Sequence, residues 1–161
     1  MSNWVRPLVS GAAGAVALTL LHEFARRRIR YAPRMDVVAM RGFARAVPAL
    51  RQRRVRSSEL HRLALAGDLV SNALYYSAIA APTAAATWSR AAILGTAAGA
   101  GAVFLPEPLG LGTPPDSHVR RNQAMTMAWY VAGALTSAAV ATWWPHGARF
   151  GTEPPGVGAV L

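Results

Sequence analysis

Apolar positions in this chain gather in four long windows rather than in short alternating runs. The first is PLVSGAAGAVALTLLHEFA, residues 7–25, bounded by Arg6 and Arg26. The second covers 63–89, between Arg62 and Arg90. The third, AAILGTAAGAGAVFL, covers 91–105 and stops at Pro106; the fourth, NQAMTMAWYVAGALTSAAVATWW, covers 122–144 and stops at Pro145. A spanning helix needs about 20 mainly apolar residues. The pattern therefore predicts an all-α integral membrane protein, a small helical bundle with four transmembrane helices in a single membrane domain. The third window is short. It crosses a thinned bilayer, extends through PLGLG or forms a re-entrant arm, so three or four spans fit, and four keeps the charge pattern consistent.

The segments between the windows have their own pattern. In 36–47, apolar Val37, Met40, Phe43/Ala44 and Val47 recur at three- or four-residue intervals, while Arg34, Arg41 and Arg45 fall largely off that stripe. This spacing predicts a basic amphipathic interfacial helix, ended by Pro48; a solvated loop is the alternative. Ser57 and Ser58 before Glu59 form a helix-start signal for the second window. The linker 106–121 and the outer tail 145–161 are rich in Pro and Gly, which predicts irregular structure.

Charge fixes an orientation for these elements. Charged residues make up 15% of the chain, against about 25% in soluble domains. The net charge is +10, every basic residue is Arg, and between Arg26 and Arg62 twelve Arg face only Asp36 and Glu59. A surplus of this size is also a nucleic-acid signature. Placed between two apolar windows, it reads instead as a cytoplasmic membrane loop. The expected topology is multi-pass in the cell membrane, with loop 26–62 and the Arg120–Arg121 turn cytoplasmic and both termini outside. Trp4, Trp88, Trp143 and Trp144 then fall at the outer ends, as an aromatic belt would. AVA at 15–17 resembles a signal-peptide cleavage site, but the Arg block follows the first window, which favours an uncleaved helix.

Few residues carry candidate chemistry. His61, Asp68, Asn72 and Tyr75 share one helical stripe, and a lipid-facing acid would cost on the order of 3 kcal/mol. His22 and Glu23 lie at a similar depth, so a His22–Asp68 hydrogen bond is the expected pairing, with Arg26 or Arg62 as rival partner. These six residues form the candidate intramembrane polar site. Tyr75, Tyr76, Trp129 and Tyr130 are either a pocket lining for an apolar ligand or simple packing. A metal held by His22, Glu23, Asp68 and His61 is disfavoured, because His22 and Glu23 point about 100° apart on a helix and no HExxH is present. No cofactor is assigned.

Arg34, Arg41, Arg45, Arg53 and Arg54 are the candidate lipid-binding residues, taking anionic headgroups at the inner surface. Within PRMD at 33–36, Asp36 alternatively serves only to start a helix. Gly11 with Ala15, and Gly95 with Gly99 in a GxxxG pattern, predict faces where helix backbones approach closely. There are no Cys residues, and no P-loop, nucleophile elbow or dinucleotide fingerprint is present.

The expected function is a non-enzymatic accessory component that packs with other membrane subunits or with itself, and with anionic lipid. The alternatives are an oligomeric proton, ion or small-solute transporter using Asp68 and Asn72, or a membrane enzyme acting on lipid at the inner interface through His22, Glu23 and Asp68.

Overall fold

The computed structural model describes residues 4–47, 56–113 and 119–144. Among these residues the protein is helical throughout, with no strand. The helices are α1 Val5–Arg28, α2 Met35–Ala46, α3 Ser57–Ser77, α4 Ala84–Phe104 and α5 Arg120–Trp143. Residues 48–55, which include Arg53 and Arg54, and the expected tail 145–161 lie outside the described residues.

Each helix begins or ends for a local reason. In α1, Pro7 sits in the first turn, where a missing N–H costs nothing, and Arg26, Arg27 and Arg28 complement the dipole of the last turn. The chain then turns at Tyr31, which takes a left-handed φ of 62°. At the start of α2, the Arg34 guanidinium grips Asp36 with bonds of 2.8 and 2.9 Å. The start of α3 differs from expectation. Arg56 is the residue before the helix and Ser57 is already its first residue, with no side-chain cap bond.

The second apolar window does not form one helix. α3 ends at Ser77, residues 78–83 turn, and α4 starts at Ala84. Pro82 can donate no backbone hydrogen bond, so a helix cannot pass it undisturbed. Thr83 then caps α4, its Oγ1 accepting from the Ala86 N–H at 3.2 Å. Buried Thr87 accepts from the Ala81 N–H at 3.1 Å and donates to the Thr83 carbonyl at 3.0 Å. Arg90, expected in a loop, lies inside α4 and reaches back to the carbonyls of Ala78 and Ala80. The helix of the third window, α4, is thereby 21 residues long, longer than the fifteen of 91–105.

The four-span expectation is reduced. Two helices, α1 and α5, are long and apolar enough to cross a membrane. Window 63–89 is broken by the turn, α3 is long enough at 21 residues but diluted by His61, Arg62, Asp68 and Asn72, and α4 is diluted by Thr87, Ser89, Arg90 and several glycines.

In the bundle, α1 lies between α3 and α5, α4 packs on the far side of α5, and α2 folds against α3. Small residues fill the centre. Ala15, Ala91, Ala134, Ala138, Ser10 and Ser137 have no exposure at all, beside the larger Leu18, Tyr76 and Ile79. Large apolar side chains point outward instead, with Val70 60% and Ile93 66% exposed.

Glycine makes the close packing possible. A Cβ on Gly95 would lie 2.7 Å from Ala134 Cβ, and one on Gly99 2.8 Å from Met127 Cα, so GTAAG is the seam between α4 and α5. A Cβ on Gly11 would strike the Ala73 carbonyl of α3, and Ala15 is fully buried one turn further on. Both small-residue faces are therefore occupied inside the chain. At one end of the bundle, Arg6 joins three elements, donating to the Ala141 carbonyl at 2.9 Å and to the Ala81 carbonyl at 2.8 Å.

Candidate ligand chamber

Helices α3 and α4 are not packed on each other. One long-range bond spans the gap, from the Tyr75 hydroxyl to the Leu94 carbonyl at 3.0 Å. Between them lies a chamber of about 520 Å³, within the usual size of small-molecule sites. Its floor is α2 and the loop 105–111, on the side where loop 26–62 and Arg121 lie.

All six residues of the polar stripe and its partners line this chamber: His22 and Glu23 from α1, and His61, Asp68, Asn72 and Tyr75 from α3. The arrangement differs from the pairing expected of them. Asp68 interacts with Asn72 one turn along its own helix, and the His22–Asp68 hydrogen bond is not formed: His22 Nε2 is buried without a partner. The imidazole instead packs edge-on against Trp129 and Tyr130, with ring centroids 5.1 and 5.9 Å away. Arg26 is taken by Glu23, through bonds of 2.7 and 3.2 Å. His22 and Glu23, though adjacent, both reach the chamber wall because it is wide. Among the described residues no three His, Asp or Glu side chains come together as metal ligands.

Sequence reasoning missed three polar wall residues, Thr19, Asp36 and Ser71. Thr19 Oγ1 is buried with no hydrogen-bond partner; its position three residues before His22 was the available signal. On sequence grounds alone Asp36 is a helix starter or a neighbour of a lipid-gripping Arg34. It is indeed in the first turn of α2, but α2 folds back so that it also faces the chamber. Burial pushes its carboxyl up, yet the Arg34 hydrogen bond and the charges of Arg34, Arg26 and His61 outweigh this and hold it below its ordinary value.

No family model, curated protein or solved structure matches this chain. The site has to be read from its own geometry.

Among the described residues, the candidate lipid-binding arginines Arg34, Arg41 and Arg45 have internal partners. Arg34 is engaged by Asp36. Arg41 donates to the Leu111 carbonyl and Arg45 to the Gly110 carbonyl, each at 3.0 Å. Gly110 and Gly112 provide the geometry, with φ of 70° and 72°, a region that glycine enters without a Cβ clash. The apolar side of α2 is turned inward, Val38 being buried and the Phe43 ring lying where a Cβ on Gly67 would be 3.2 Å away. Thus α2 docks on α3 and the loop. Tyr130 joins Tyr75 on the wall, whereas Tyr76 is wholly buried in the core.

Proposed function

We propose that the protein is a membrane-embedded bundle, with α1, α3, α4 and α5 crossing the bilayer and the chamber opening toward the cytoplasmic, Arg-rich side, and that it binds a small solute there as a carrier or receptor. The observation that carries this reading is the convergence of six polar side chains from α1 and α3 on one 520 Å³ chamber. The six are half-buried or, for Tyr75, exposed at the wall, so their polar groups are available to a guest, and polar groups placed around an apolar cleft are what orient a bound solute. The membrane setting is supported by large apolar side chains outside and Ala, Gly and Ser inside, the packing that helices adopt where lipid removes the hydrophobic drive between them.

The test is native mass spectrometry of the full chain extracted gently from its own membrane. A small bound mass is expected, and Ala98→Trp, which places an indole in the chamber wall, should remove it. Absence of any bound solute would overturn the reading.

A second reading keeps the protein as an accessory subunit. The outward belt that includes Val70, Leu74 and Ile93 would meet helices of another protein as readily as acyl chains. The glycine faces offer it no support, being used within the chain. A second subunit in fixed ratio in the same mass spectra would favour it.

A further inference from the structure

We propose that the guest of this chamber is a small organic cation, a protonated amine whose ammonium group binds at Asp68. This rests on the chamber reading and narrows it to a ligand class.

The charge balance of the wall is the first ground. Three carboxylates line the chamber. Glu23 is held by Arg26 and Arg27, and Asp36 by Arg34. Asp68 has no cationic partner among the described residues, and its neighbour Asn72 is neutral. A half-buried carboxylate without a counter-charge is costly to keep ionised, and a cationic guest at that point offsets the cost.

Hydrogen-bonding character is the second ground. The hydroxyls of Tyr75 and Ser71 spend their protons on the backbone carbonyls of Leu94 and Asp68. Each oxygen is left as an acceptor facing the chamber. Asn72 binds Asp68 and retains its own acceptor capacity. An ammonium group brings three donors and no acceptor, which matches an acceptor-rich wall.

The apolar part of the wall is the third ground. Ala97, Ala98, Leu65, Met35 and Leu105 line much of the chamber, with the Tyr130 ring beside them. A bare hydrated ion gains nothing from such surface, whereas an alkyl or aryl body does, and an aromatic face also favours a cation.

The chain has no Cys, so Ser71→Cys introduces a single thiol in the chamber wall. The full-length variant would be treated with a neutral methanethiosulfonate reagent in the presence of benzylamine, benzyl alcohol or benzoate. Benzylamine should protect the thiol with an affinity at least about tenfold above that of benzyl alcohol, equivalent to about 1.4 kcal/mol. Benzoate should not protect. Adding Asp68→Asn should erase the preference, and a preference that survives it would overturn the assignment of Asp68. If Asp68→Asn does not fold, the comparison of the three probes in the Asp68-bearing protein decides alone. Equal protection by benzyl alcohol or benzoate overturns the amine inference and leaves the chamber reading standing. Protection by none overturns the inference, and takes the chamber reading with it where the native mass also shows no solute.

Discussion

Tyr76 donates its phenolic hydrogen to the Tyr130 carbonyl across 2.9 Å, tying α3 to α5, two helices that otherwise touch little. The ring is fully buried, and it reaches that far because Gly14 and Gly133 leave room. A Cβ on either would lie 3.0 Å from a Tyr76 ring carbon. The Ser137 hydroxyl returns the link by donating to the Tyr76 carbonyl at 3.2 Å.

Two substitutions separate bond from space. Tyr76→Phe keeps the ring and should cost about 1 kcal/mol, the net worth of one hydrogen bond. Gly133→Leu drives a side chain into the Tyr76 ring and the α1 backbone and should lose the fold. Thermal unfolding of the detergent-solubilised protein measures both; equal, small losses would place the ring elsewhere.

Glycines at the α4–α5 seam should behave unlike the glycine in α2. Gly95→Leu and Gly99→Leu each press on α5 backbone or Ala134, so each should destabilise by about 3 kcal/mol or more. Gly42 is different: a Cβ there would meet only Leu111 Cδ1, at an ordinary 3.9 Å. Gly42→Ala should therefore stabilise the docked α2 by about 0.5–1 kcal/mol, the helix-propensity gain. Unfolding midpoints of the three variants give the comparison.

Docking of α2 should depend on pH through Asp36. Its carboxyl is held below 3.8 by Arg34 against the opposing effect of burial. An acid with a depressed folded-state value stabilises the fold above its unfolded value and yields that contribution as pH falls through the folded one. Hydrogen exchange in α2 should accelerate below pH 3.8 and be unaffected by Asp36 across neutral pH. Asp36→Asn should remove the acid-side change.

Topology can be read without background labelling, since the chain has no Cys. Ser89→Cys near the start of α4 and Thr113→Cys beyond its end are both at exposed positions. A membrane-impermeant thiol reagent added to intact cells should label Ser89→Cys and spare Thr113→Cys, with the reverse in inverted vesicles. Labelling of both from one side would remove α4 from the set of crossing helices.

Arg41 and Arg45 hold α2 to the loop that floors the chamber. Arg41→Ala with Arg45→Ala should free that loop, seen as faster exchange in 105–111. Anionic lipid co-purifying with the protein should change little, and a steep fall would show that these arginines serve lipid instead.

The residues alone determined the helical class, the positions of the apolar windows, the basic segment and the polar stripe on α3. These are local properties: a 3.6-residue period places His61, Asp68, Asn72 and Tyr75 on one face whatever surrounds them. Even here the apolar run of 63–89 conceals a turn, which Pro82 and Thr83 impose. What only the tertiary structure decided is which face meets which. GTAAG could seat any close-packed helix, and α5 takes it because Ala134 and Met127 come opposite; Asp68 could have met His22 or an arginine, and meets Asn72. Asp36 joins the site only because α2 folds back over the space that α3 and α4 leave open. Periodicity records which side of a helix is small, polar or charged; the chamber depends on how far apart two helices stand, a distance set by side chains on the others.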